Sequence, residues 1–241
     1  MVRRLALWIL LTISLSGCVY SDEIKRQAAP PSGEYITLVQ QATDLYRQKF
    51  GVLPIKTKEM DTPLYEKYMI DFKKLKERNL LSIIPTNAFE NGGSAIYVLV
   101  NVETKPEVKM MDLAAYQTMV SLQKEVDQYI QKKGNIPKGE LQYPGIYTLD
   151  FSKLGTKNPQ ISSAYSRQTL NVVIHENGEI ALDYAIDIVQ FVNKSGNKTI
   201  DPNLDLREFL VQSSYFVPVR SFPYRWVNNQ PLLLPPVHST P

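Results

Sequence analysis

Two aspartates occupy matching places in this 241-residue chain: Asp71 in Tyr68-Met-Ile-Asp-Phe-Lys-Lys-Leu75, and Asp150 in Tyr147-Thr-Leu-Asp-Phe-Ser-Lys-Leu154. Carboxylates that meet across a pseudo-twofold axis can share a proton or hold a cation. The local pattern gives each a plainer task. An aspartate just ahead of a short Phe-x-x-Leu helix accepts backbone N–H bonds as its cap, and capping is the expected role of both. The two histidines are His175, at a predicted hairpin turn where it is expected to be solvated, and His238, near the end of the chain. A metal site needs three or four ligands at workable spacing, and no such cluster exists. Gly-x-Ser-x-Gly, Gly-x-Gly-x-x-Gly and the phosphate-binding loop are all missing. The expectation is a non-enzymatic protein without metal or cofactor.

Cys18 is the single cysteine, so no disulfide forms within the chain. Its surroundings give it a use. Met1-Val-Arg-Arg4 is a basic start, and Leu5 to Leu15 is an apolar run too short to span a bilayer stably. Leu15-Ser16-Gly17-Cys18 resembles the lipobox of bacterial lipoproteins at every position. The resemblance implies a signal peptide over 1–17, cleavage before Cys18, and a diacylglyceryl cysteine carrying acyl chains such as palmitate. Each buried methylene contributes about 0.8 kcal/mol, so two or more chains hold a protein on a membrane essentially permanently. The expected location is the extracytoplasmic face of the cell membrane, with the bilayer as a partner through acylated Cys18. Residues 18–33 end in Pro-Pro-Ser-Gly and read as a tether.

Positioning of the candidate residues falls to a duplication. A predicted amphipathic helix from Glu34 to Phe50 carries Tyr35, Leu38, Val39, Ala42, Tyr46 and Phe50 on one stripe, and stops at Gly51 with Pro54 following. A second helix, Leu113 to Lys133, carries Tyr116, Met119, Val120, Val126, Tyr129 and Ile130, and stops at Gly134 with Pro137 following. Glycine supplies the left-handed cap and proline forbids continuation. The two Asp-Phe segments agree at five of eight positions. Each copy then closes in a predicted hairpin. The first runs from Ala95–Val100 to Glu107–Met111. The second runs from Gln168–Ile174 through Asn177-Gly178 to Glu179–Leu182. The expected fold is α+β: two tandem related helix-plus-β-hairpin repeats, 34–112 and 113–187, packed together because neither buries its faces alone.

Residues 188–241 do not fit a third full copy and read as an irregular C-terminal extension. One short helix is expected over Asp205–Val211, then an aromatic, Pro-rich stretch lying over the repeats, with a loose end from Pro231. Within it Tyr215, Phe216, Arg220, Phe222, Tyr224, Arg225 and Trp226 are the binding candidates, because aromatic and arginine side chains dominate binding energetics. Aromatic faces also stack on sugar rings, as in a cell wall. The competing expectation is that the rings close the core.

Of the net charge of +3, part sits in the leader, which leaves no basic patch for nucleic acid. The leader, the lipobox, a domain of about 220 residues and Phe216-Val-Pro…Ser221-Phe-Pro-Tyr resemble uncharacterised lipoproteins of Bacillus-type Gram-positive bacteria. Two roles fit: an envelope interaction or assembly module with an envelope-protein or cell-wall partner, or a solute-binding lipoprotein serving a transporter. A deep cleft favours the second; a closed core with an exposed aromatic patch favours the first.

Overall fold

A computed structural model describes residues 32–59, 62–195 and 200–236. The leader, the lipobox, Cys18, the tether up to residue 31 and His238 lie outside the described residues. Mixed helices and small antiparallel sheets make the chain α+β.

Helix α1 (Ser32–Phe50) buries Tyr35, Val39, Ala42 and Tyr46, a spacing that keeps one stripe on the core. Leu38 and Phe50, expected on that stripe, are exposed because they flank it. Gly51 ends the helix at φ +70, and its N–H bonds to the Arg47 carbonyl. The chain then passes α2 (Leu64–Lys67) and α3 (Phe72–Glu77) to the hairpin β1 (Ala95–Val100) and β2 (Glu107–Asp112). Every residue of β1 is buried. Tyr97 and Leu99 face the core under α1, while Ile96, Val98 and Val100 face the core of the second segment. That two-sided burial is why Ala95–Val100 reads as an unbroken apolar run rather than an alternating one.

Helix α4 (Leu113–Lys133) is capped by Asp112, whose carboxylate accepts from the Ala115 N–H, and ends at Gly134 with φ +69. Its buried stripe is Ala115, Met119, Leu122 and Val126. The expected stripe was rotated slightly: Val120 is exposed, and Leu122 takes its place inside. Strands β3 (Lys138–Tyr143) and β4 (Ile146–Leu149), joined through Gly145, were not anticipated. Helix α5 (Phe151–Leu154) and strands β5 (Asn171–His175) and β6 (Ile180–Asp183) follow, giving a four-stranded sheet in the order β3-β4-β5-β6. The first segment has the same order with its outer strands reduced to single bridges, Ile55 to Ile70 and Met69 to Val98.

Corresponding hydrogen bonds recur in the two segments. Asp71 N–H bonds to the Pro54 carbonyl, and Asp150 N–H to that of Pro137. Lys74 Nζ reaches the Ile55 carbonyl at 2.8 Å, and Lys153 Nζ that of Lys138 at 2.7 Å. Gln40 Nε2 donates to Asp44 and the Pro106 carbonyl while its Oε1 accepts from Val108 N–H. Gln123 does the same with Asp127, Gly178 and Ile180. Each glutamine thus pins a helix onto the hairpin that closes its own segment.

The C-terminal part is more regular than expected. Helix α6 (Ala185–Ser195) runs across the anticipated boundary at 187/188, since Asp183 accepts from the Ala185 N–H and the apolar stripe continues through Ile188 and Val192. Then come α7 (Arg207–Gln212) and a hairpin of β7 (Tyr224–Val227) and β8 (Gln230–Leu233). The end from Pro231 was expected to be loose, yet Pro231 sits in β8 opposite Trp226. Asn228 and Asn229, at φ +50 and +61, make the tight turn. That turn leaves the Trp226–Pro231 pair at a position where proline's missing N–H has no ladder bond to make.

Between α7 and β7, residues 215–222 lie as an irregular strap with a turn at 219–220. Met110 N–H of β2 bonds to the Tyr215 carbonyl, Val217 N–H bonds back to Met110, and Leu182 N–H of β6 bonds to the Arg220 carbonyl. The strap therefore bonds to the outer edge of each sheet at one residue, Met110 and Leu182, beside the positions that Gln40 and Gln123 fill.

Candidate functional site

Asp71 and Asp150 are helix caps. Asp71 Oδ1 accepts from the N–H groups of Lys73 and Lys74, and Asp150 Oδ1 from those of Ser152 and Lys153. Bonds from Ser152 and Lys153 hold the Asp150 carboxyl down at about 2. Each carboxylate caps its own short helix and neither lines the cleft described below. His175 is half-buried rather than a free turn residue: its Nδ1 accepts from Asn177 N–H, and its ring meets Phe222 edge-on. Among the described residues no group of three or more His, Cys, Asp or Glu side chains could hold a metal, and no helix is long and apolar enough to cross a membrane.

The seven aromatic and basic candidates divide. Tyr224 is fully buried, donates to Asp183 at 2.8 Å and accepts from Tyr184 N–H at 2.7 Å. Burial, with Asp183 alongside, pushes its phenol well above the ordinary range. Phe222 is buried, Phe216 packs against the core under α1, and Trp226 packs against the larger core. Tyr215 is half exposed beside Gly33 at the start of α1. Arg225 is exposed and bonded to the Pro202 carbonyl and Asn203. Arg220 stands apart from all of these.

Arg220, Phe222, Tyr224 and Arg225 line one wall of a cleft of about 810 Å³; Tyr215, Phe216 and Trp226 do not. Residues 58, 59, 62–64 and 66–68, including Pro63, Leu64 and Tyr68, line the cleft from the first segment. Tyr116 of α4, Ile180 of β6 and the turn at Asn203–Asp205 complete it. The lining carries five basic side chains (Lys58, Lys67, Arg207, Arg220, Arg225) and four acidic ones (Glu59, Glu66, Glu179, Asp205).

Two ion pairs shape it. Arg207 is locked: Nε and Nη2 bond Asp205, Nη1 donates to the Ser221 carbonyl at 2.6 Å, and the guanidinium lies over the Tyr65 ring. Glu66 is only 1% exposed. Its Oε1 accepts from Arg220 N–H at 3.1 Å, and its Oε2 lies 3.3 Å from Arg220 Nε. Burial raises the Glu66 carboxyl, with Arg220 and then Lys58 pulling the other way. Burial also raises the Tyr116 phenol, which feels Glu66 and Arg220 together. Arg220 holds a left-handed backbone at φ +46, a conformation that a side chain disfavours; its N–H is bonded to Glu66 and its carbonyl to the Leu182 N–H.

Sequence reasoning named Arg220 but missed Glu66, Tyr116, Lys58 and Arg207. Glu66 and Arg220 lie 154 residues apart, and no local spacing links them. Neither a curated protein nor a solved structure matches this chain. Residues 32–112, from the first turn of α1 to the last residue of β2, match the model of the YphF family N-terminal domain.

Proposed function

We propose that this protein is a membrane-anchored, extracytoplasmic binding lipoprotein without chemistry of its own, which holds a small ligand in the cleft. The observation that carries the reading is the cleft itself. Its volume of about 810 Å³ falls within the range of small-molecule sites, roughly 300–1,000 Å³. Its walls also come from segments far apart in the chain, which suits a preformed site. The aromatic stretch supports the solute-binding role over an assembly surface, because Phe222 and Tyr224 are buried and Phe216 and Trp226 are partly so. A transporter would be the natural partner of such a protein. Attachment rests on Leu15-Ser16-Gly17-Cys18.

Mass spectrometry of the chain isolated from its host membrane tests both halves. Denaturing spectra should show a start at Cys18 plus the mass of the acyl chains. Non-denaturing spectra should show an additional small molecule that leaves on activation. Cys18→Ala should accumulate as precursor with the leader intact. Normal processing and membrane retention of that variant would refute the anchor, and a chain without any adduct would count against the cleft.

A further inference from the structure

We propose that Arg220 anchors the carboxylate of a small monoanionic ligand in this cleft, an assignment that rests on the binding role given above. Three observations converge on this side chain. Its Nε is buried yet makes no hydrogen bond, and neither terminal nitrogen has a hydrogen-bond acceptor among the described residues. Of the other two arginines in the lining, Arg207 has every nitrogen engaged, and Arg225 is exposed and turned to the Pro202 carbonyl and Asn203 through Nη1. The Arg220 side chain keeps 23% exposure and lines the cleft, so its free edge is within reach of a ligand. Its backbone is also held in a disfavoured conformation by bonds to two distant parts of the fold, Glu66 and Leu182. Such strain concentrates where a side chain must be aimed.

The chemistry of the ligand follows from the partners. A guanidinium presents its two terminal nitrogens as a planar fork that matches a carboxylate's two oxygens. Glu66 behind Arg220 neutralises much of its charge, and the cleft as a whole has one basic side chain in excess. A single negative charge is therefore accommodated; a second would meet the buried Glu66 carboxylate uncompensated. Tyr116 sits close enough to feel Glu66 and Arg220, and its protonated hydroxyl offers a further donor. Tyr68, Pro63 and Phe222 supply apolar surface for the body of the molecule.

Calorimetric titration of the full chain in detergent micelles tests this with three probes: N-acetylphenylalanine, its amide, and phenyl phosphate. The acid should bind about tenfold to a hundredfold more tightly than the amide, as expected for a charge-assisted pair. Phenyl phosphate should not exceed the acid. Arg220→Gln should erase the preference for acid over amide. Because that variant strands the Glu66 charge, Glu66→Gln combined with Arg220→Gln removes both charges and should show the same loss in a folded chain. Equal binding of acid and amide by the parent would overturn the carboxylate anchor while leaving the cleft as a binding site. Tighter binding of phenyl phosphate would overturn the monoanion assignment. An acid preference that survives in the double variant would overturn the role of Arg220. No binding of any probe would overturn both the anchor and the binding role.

Discussion

Gln40 and Gln123 each fasten a long helix to the hairpin that closes its segment, and replacing either with leucine isolates that function. In Gln123→Leu the side chain keeps its bulk but loses its bonds to the Gly178 carbonyl and the Ile180 N–H, at 3.0 Å each. Ile180 is 2% exposed, so water cannot replace the lost acceptor. A neutral hydrogen bond contributes about 1 kcal/mol net, and a stranded buried N–H costs about 1–3 kcal/mol. The expected loss is about 2–3 kcal/mol, equivalent to about 4–12 °C in Tm for a chain of this size. Gln40→Leu should lose a similar amount, because Val108 is buried to the same 2% and both bonds are matched. Gln123→Glu separates the two halves of the clip. It keeps the acceptor for Ile180 but faces the Gly178 carbonyl and Asp127 with a carboxylate, which raises that carboxyl's pKa in the folded state. Its stability is thus fullest below the ordinary glutamate range and falls as pH rises through the raised value. Differential scanning calorimetry across pH reads all three variants. Melting of either leucine variant within about 1 °C of the parent would refute the reasoning.

Gly93 approaches the Asn87 main chain so closely that an added Cβ would sit 2.1 Å from its carbonyl carbon. Gly93→Ala should therefore displace the loop before β1 and lower the urea midpoint by the equivalent of about 3 kcal/mol or more; an unchanged midpoint would contradict the geometry. Burial raises the Glu66 carboxyl above its ordinary 4.5, so its contribution to stability is full below that value and declines as pH rises through the raised one. Glu66→Gln should then gain stability relative to the parent between pH 4.5 and neutrality. A flat or falling difference in urea unfolding would mean that the Arg220 and Lys58 charges outweigh burial.

Much of the frame was legible in the chain. Gly51 with Pro54 and Gly134 with Pro137 marked the helix ends because a left-handed cap and a missing N–H act over a few residues. The caps at Asp71 and Asp150 were readable for the same reason. The paired glutamines also carry a signal in the chain: Gln-x-x-x-Asp recurs at the same distance before each glycine, at Gln40–Asp44 and Gln123–Asp127. The hairpin at β7 and β8 was missed because Pro231 argues against a strand unless the pairing register is known, and that register is set across the turn.

What the sequence determined by itself is local: caps, turns, apolar periodicity, the α+β class, and the Leu-Ser-Gly-Cys expectation at Cys18. The tertiary structure decided the site. The seven aromatic and basic candidates are neighbours in the chain, yet the fold buries Phe222 and Tyr224, leaves Arg225 exposed at the cleft's rim, and buries the Nε of Arg220 without a hydrogen bond beside the cleft. That placement exists because Glu66, 154 residues away, is buried against Arg220 while the strap bonds to Leu182 on the other side. Burial and charge pairing across such distances depend on the packing of all the segments at once, and no periodicity within a short stretch encodes them.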